Sequence, residues 1–170
     1  MMNVETAIRT AIEFETKVRQ LFETAARQIP DTLGRKFFEL LAKDERQHVD
    51  SLTEALQEGI REGKVSYARL GSNLPSLKTI EKGTVSVQTQ IKGAVNWQPD
   101  YSMMSILQSA LEAEKSTSQF YRDLVGELPE RDRKMFARML DIEENHTAFV
   151  QAQIDSLTRN GVWLDVTRRG

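Results

Sequence analysis

Four stretches of the chain, residues 3–29, 33–62, 101–127 and 131–158, carry apolar residues at three- and four-residue spacing. That rhythm predicts amphipathic helices. Ile8, Ala11, Ile12, Val18, Phe22, Ala25 and Ile29 form the first stripe, and Phe37, Leu41, Leu52, Leu56 and Ile60 the second. Met103, Leu107, Ala110, Leu111, Tyr121, Val125 and Leu128 mark the third, and Met135, Phe136, Met139, Val150, Ile154 and Leu157 the fourth. Pro30-Asp31 interrupts the first pair and Leu128-Pro129-Glu130 the second. Connections this short make each pair antiparallel neighbours. Residues 63–100 lose the rhythm: Gly63, Gly71, Gly83, Gly93, Pro75 and Pro99 fall there, and Val85, Val87, Thr89 and Ile91 alternate with polar residues as in a strand. This segment reads as a crossover with one short helix near 74–82 and an extended stretch near 84–91. Asp100 is the expected N-cap of the third helix. Asn160-Gly161 stops the fourth, and the tail of residues 159–170 carries the apolar Val162-Trp163-Leu164. The expected fold is all-α, a single domain over residues 1–170. It is a four-helix bundle of two antiparallel hairpins, 3–62 and 101–158, joined by the long crossover 63–100.

Composition narrows the function classes. The chain has 170 residues, 39% hydrophobic and 28% charged, as in ordinary globular proteins. A formal net charge of −2 gives no reason to expect nucleic acid or an anionic membrane as partner. No apolar run approaches the roughly 20 residues that span a bilayer. Met1-Met2-Asn3-Val4-Glu5 lacks the start of a secretory signal, so a cytoplasmic location is expected. There is no cysteine, which removes disulfides, thiolate sites and cysteine nucleophiles. Any metal must therefore be held by carboxylate and imidazole, a set suited to iron, manganese or zinc.

The two halves resemble each other. At an offset of 99 residues, Glu15, Gln20, Phe22 and Pro30 lie over Glu114, Gln119, Tyr121 and Pro129. At an offset of 98, Arg35, Phe38, Glu45 and His48 lie over Arg133, Phe136, Glu143 and His146. A repeated hairpin implies a pseudo-twofold bundle whose central site is built twice. Both histidines of the chain stand three residues after a glutamate, in Glu45-Arg46-Gln47-His48 and Glu143-Glu144-Asn145-His146. With 16 glutamates in 170 residues, chance places both so in about one case in a hundred. The spacing sets carboxylate and imidazole one turn apart on one face.

All six residues continue the inward stripes, where carboxylates are costly unless compensated. Glu15 and Glu45 are each 15 residues from Pro30, and Glu114 and Glu143 are 15 and 14 from Pro129. At helical rise these distances put all four at one level, roughly 20 Å from the turns. Four carboxylates balance two divalent ions and two neutral imidazoles complete the set. In the expected arrangement Glu45 and Glu143 bridge, Glu15 and Glu114 are terminal, and each ion takes one histidine. Glu13, Glu112 and Glu144 fall off the stripe and read as solvated. Tyr121, beyond Glu114, either hydrogen-bonds a ligand carboxylate from behind or packs in the core like its counterpart Phe22.

On these residues, over about 5–60 and 101–158, the chain resembles the rubrerythrin branch of the ferritin-like superfamily. The resemblance implies a ferritin-like bundle with a non-haem di-iron carboxylate centre, ligated by Glu15, Glu45, His48, Glu114, Glu143 and His146. It also implies an oxidoreductase reacting with hydrogen peroxide or dioxygen, peroxidase-like or ferroxidase-like. Typical rubrerythrins feed the pair from a cysteine-ligated iron domain, which this chain lacks, so a separate electron-donor protein is expected. Extra glutamates that some rubrerythrins add are also missing. The other readings are iron binding and storage without redox turnover, a di-iron hydroxylase of an organic substrate, and a metal-stabilised interaction module. A homodimer is expected from outward apolar residues.

Overall fold

A computed structural model describes residues 2–63, 70–75 and 101–166. Among the described residues the protein is all-helical, four helices consistent with a four-helix bundle: α1 (Val4–Gln28), α2 (Thr32–Glu62), α3 (Tyr101–Glu127) and α4 (Glu130–Asn160). The bounds follow local chemistry. Asn3 caps α1 by accepting the Thr6 amide at 2.8 Å. Ile29, forced extended by the proline after it, ends the helix. Asp31 then caps α2, accepting the Leu33 and Gly34 amides at 2.8 and 3.0 Å, a device worth about 1 kcal/mol. Gly63 and Gly161, each at φ +67°, close α2 and α4 in the left-handed conformation that glycine adopts without strain.

Every helix crosses two apolar clusters with polar residues between them. The first cluster holds Val18 and Phe22 of α1, Phe37 and Leu41 of α2, Leu107 and Leu111 of α3, and Phe149 and Val150 of α4. The second holds Ile8 and Ala11, Leu52 and Ala55, Tyr121 and Leu124, and Met135 and Met139 of the same helices in order. Glu15, Glu45, His48, Glu114, Glu143 and His146 fall in the gap, all fully buried. The core is thus divided by a layer of buried ionisable side chains.

Two non-helical segments pack against the helices. Leu70 enters the second cluster and leads residues 71–75 across the bundle. Trp163 enters the first and packs on Phe37. Its indole lies so close to Gly34 that a Cβ there would come within 2.5 Å of it. Gln153, buried in α4, holds this tail: its side chain donates to the Leu164 carbonyl at 3.1 Å and accepts the Leu164 amide at 2.9 Å. Ser156 donates to the Val162 carbonyl at 2.8 Å.

Some expectations need adjusting. Ile60, placed on the inward stripe, is 61% exposed, because the buried face of α2 ends at Ala55 and the last turn runs past the packed layers. Leu74 and Pro75 are not helical. The rest of the short helix expected near 74–82, the extended stretch near 84–91 and the Asp100 cap lie outside the described residues. No helix among the described residues is long and apolar enough to cross a membrane.

Candidate metal centre

The helical period brings each Glu-x-x-His pair to one face, and the two faces meet. Glu45, His48, Glu143 and His146 each offer a ligand atom, all within 4.8 Å of one another, so this buried cluster could hold a metal ion and is compatible with a di-iron site. The two imidazoles lie nearly parallel, centroids 5.3 Å apart at 17°. Both turn Nδ1 toward the carboxylates. His48 Nδ1 lies 3.3 Å from Glu45 Oε2, 3.5 Å from Glu143 Oε1 and 3.5 Å from Glu15 Oε2. His146 Nδ1 lies 2.7 Å from Glu45 Oε1, 3.5 Å from Glu114 Oε1 and 3.7 Å from Glu143 Oε2. Glu45 and Glu143 therefore each set one oxygen beside each histidine, whereas Glu15 stands by His48 alone and Glu114 by His146 alone.

The outward nitrogens are fixed by other partners. His48 Nε2 donates to the Gly71 carbonyl at 3.3 Å, and since a carbonyl only accepts, the proton sits on Nε2. His146 Nε2 donates to Asp44 Oδ2 at 2.8 Å. With Nε2 of each ring donating outward, Nδ1 faces the cage, where an imidazole that yields its second proton can ligate a metal. Asp44 also accepts from the Ser72 hydroxyl and, at 2.8 Å, from the Asn73 amide. Asn145 donates to the Pro75 carbonyl at 3.2 Å. Residues 71–75 thus strap both Glu-x-x-His turns from outside. Tyr121 donates its hydroxyl to Glu15 Oε1, across to α1, rather than to Glu114 on its own helix.

Inside the cage little is satisfied. Glu15 Oε2, Glu45 Oε1, both oxygens of Glu114, both of Glu143 and His146 Nδ1 are buried without a hydrogen bond. His146 Nδ1 and Glu45 Oε1 approach to 2.7 Å, but without hydrogen-bond geometry. Each orphaned polar atom costs about 1–3 kcal/mol, more when charged, and native interiors hold very few. Seven converging on one point fit a pair of cations, which such atoms coordinate.

Protons are the only other counter-charge, and the electrostatics show their demand. Burial, with repulsion from Glu45, lifts Glu15 to about 8. Burial with the charges of Glu15 and Glu45 lifts Glu143 well above the carboxylate range, and burial also raises Glu114. Burial opposes ionisation of Glu45 most strongly, but the attraction of His146 and the hydrogen bonds of Glu15, His146 and His48 together outweigh it and hold Glu45 well below that range. Burial would lower both histidines, yet the surrounding carboxylates raise His48 and His146 well above the usual imidazole value. Burial and the Glu15 charge push Tyr121 well up, so it stays a donor. Asp44, despite burial, is lowered by the His146 hydrogen bond and remains anionic.

All six residues read from the sequence are brought together here, and Glu13, Glu112 and Glu144 are exposed, as expected. Asp44 escaped the reading. It adjoins Glu45, about 100° around the helix, where an acidic residue reads as solvated until the strap is seen to cover it. The one local signal is its place four residues before His48. Comparison of the chain with protein-family models, curated proteins and solved structures finds no match.

Proposed function

We propose that this chain is a rubrerythrin-like member of the ferritin-like superfamily that binds two iron ions and reacts with hydrogen peroxide or dioxygen. The observation that carries the reading is the cage itself: six orphaned carboxylate oxygens, with Nδ1 of both imidazoles turned toward them and each Nε2 held from outside. The order in which the helices meet the apolar clusters supports two antiparallel hairpins joined by a crossover through 63–100. α1 passes from the second cluster to the first and α2 returns; α3 starts in the first and α4 ends there.

Glu15, Glu45, Glu143 and His48 would hold one ion, and Glu114, Glu45, Glu143 and His146 the other, Glu45 and Glu143 bridging. Oxygen and imidazole donors without thiolate suit iron, and also manganese or zinc. Bound as a ferrous pair, iron would supply the two electrons that, with two protons, reduce one peroxide to two waters. The chain's own groups keep the ligands in order. Asp44 and Gly71 accept from the outward ring nitrogens, Tyr121 donates its hydroxyl to Glu15 Oε1, and the apolar clusters exclude water on both sides. With no cysteine in the chain, re-reduction falls to a separate donor protein.

Protein loaded anaerobically with ferrous iron and mixed with peroxide tests this. The expected result is rapid oxidation of about two irons per peroxide, with turnover once a reductant is added. A loaded centre inert to peroxide and dioxygen would overturn the redox reading. Uptake of iron far beyond two per chain would replace it with storage.

A further inference from the structure

The repeat that builds the cage twice does not finish its two ends alike. In the first half Asp44 precedes Glu45; at the offset of 98 its counterpart is Ile142, a buried apolar residue with no acceptor. In the second half Tyr121 follows Glu114 by seven residues; at the offset of 99 its counterpart is Phe22, which has no donor. Both differences fall on groups that touch ligand residues. They act on opposite ends: Asp44 backs His146, and Tyr121 occupies Glu15.

We infer that the two metal positions are unequal, the one at His146 and Glu114 holding a divalent cation more tightly than the one at His48 and Glu15. Asp44 and Tyr121 are the positioning residues that set the difference. This rests on the two-metal reading above.

Two observations carry it. His146 donates to a carboxylate oxygen at 2.8 Å, whereas His48 donates to a neutral backbone carbonyl at a longer 3.3 Å. An anionic acceptor draws the Nε2 proton outward and makes Nδ1 a stronger donor to a cation. Asp44 Oδ2 also lies 3.7 Å from His48 Nε2, beyond hydrogen-bond reach, so its field is felt there but the proton is not shared. Ser72 and Asn73 temper the Asp44 charge, but neither carries a charge to cancel it.

The terminal carboxylates differ in the same sense. Glu114 has both oxygens without a partner and can turn both to a cation. Glu15 has given Oε1 to the Tyr121 hydroxyl and keeps only Oε2, which lies 3.5 Å from His48 Nδ1. Phe22 in place of a tyrosine is why nothing from the first half gives Glu114 the same bond.

Two equal positions sharing bridging carboxylates would also fill in two steps, since the second cation meets the first, so step separation alone decides nothing. Variants that each keep one complete position decide it. His48→Ala retains the His146 position and His146→Ala the His48 position. Each is titrated metal-free with Co(II), with uptake read by calorimetry and by the cobalt absorption bands. His48→Ala is expected to bind one ion at least about 10-fold tighter than His146→Ala. Adding Asp44→Asn to His48→Ala lowers its affinity about 10–100-fold and leaves the affinity of His146→Ala within about threefold. Adding Tyr121→Phe to His146→Ala frees Glu15 Oε1 and tightens binding, with no change in the His48→Ala background. Should the Asp44 variant not fold, the Tyr121 variant decides by itself. Equal affinities in the two single-position proteins, or Asp44→Asn weakening both alike, would overturn the inference while a two-ion wild type kept the metal reading intact. Wild-type protein that takes up no Co(II) would instead overturn the metal reading.

Discussion

Two buried polar sites lie within a few turns of each other on α4, and they are finished in opposite ways. At Gln153 the side chain is wholly buried and both its polar ends meet backbone of the tail, at 3.1 and 2.9 Å. Two turns earlier, Glu143 and His146 are equally buried, yet Glu143 has no hydrogen bond at either oxygen and His146 none at Nδ1. The same helix that satisfies one polar side chain completely leaves its neighbours open. Burial at Gln153 locks the tail; burial at the cage gathers carboxylates and imidazoles that could hold a metal ion. Among the described residues the orphaned atoms concentrate at this site: seven lie in the cage, and only Arg19 Nε and Asn160 Nδ2 are buried without a hydrogen bond elsewhere.

The largest expected difference between these sites is in pH dependence, because only one of them titrates. Glu15 moves from an ordinary 4.5 to about 8 in the fold, so between those values the metal-free native state binds more protons than the unfolded chain. Stability then falls as pH rises across that window. The raised Glu143, His48 and His146 act in the same sense, while Asp44 and Glu45, both lowered, cost stability only in more acid solution. Metal-free protein should therefore be more stable near pH 5 than near pH 8, by an amount on the order of several kcal/mol. Urea denaturation at a series of pH values measures it. Glu15→Gln should flatten the slope, and Gln153→Ala should leave it unchanged. Saturating metal should reverse it, because cations compete with protons for the same atoms.

A smaller effect with a sharper sign comes from truncating each site in metal-free protein. Gln153→Ala leaves the Leu164 amide and carbonyl unpaired, and should cost about 2–4 kcal/mol, roughly 5–15 °C in Tm. Glu143→Gln removes a buried carboxyl that has no hydrogen-bond partner at either oxygen, and should be neutral or stabilising by about 1 kcal/mol. Thermal melts of both variants decide the comparison. A Glu143→Gln protein as damaged as Gln153→Ala would mean that the cage is held by its own contacts.

Much of this was readable from residue spacing alone. The six cage residues are local in origin: helical period places Glu-x-x-His on one face, and distance from Pro30 and Pro129 sets the height. Four helices follow from the stripes in the same way, and the apolar Trp163 found the core as its composition implied. What was illegible depends on chain segments meeting from far away. Asp44 acquires its role from Ser72 and Asn73, nearly thirty residues on, and from His146 on another helix. Tyr121 bonds Glu15 from a distance of 106 residues, a choice that its position beside Glu114 could not reveal. Ile60 looks inward by period, but period does not tell where the neighbouring helices stop.

Metal content decides most directly whether the open atoms are a metal centre. Wild-type protein dialysed against ferrous iron without oxygen, then stripped of loose metal on a desalting column, should retain about two ions per chain. The double variant Glu45→Gln, Glu143→Gln should retain fewer than about one, with its helical signal unchanged. Wild-type protein retaining fewer than about one ion per chain, or a double variant retaining as many as the wild type, would contradict the account.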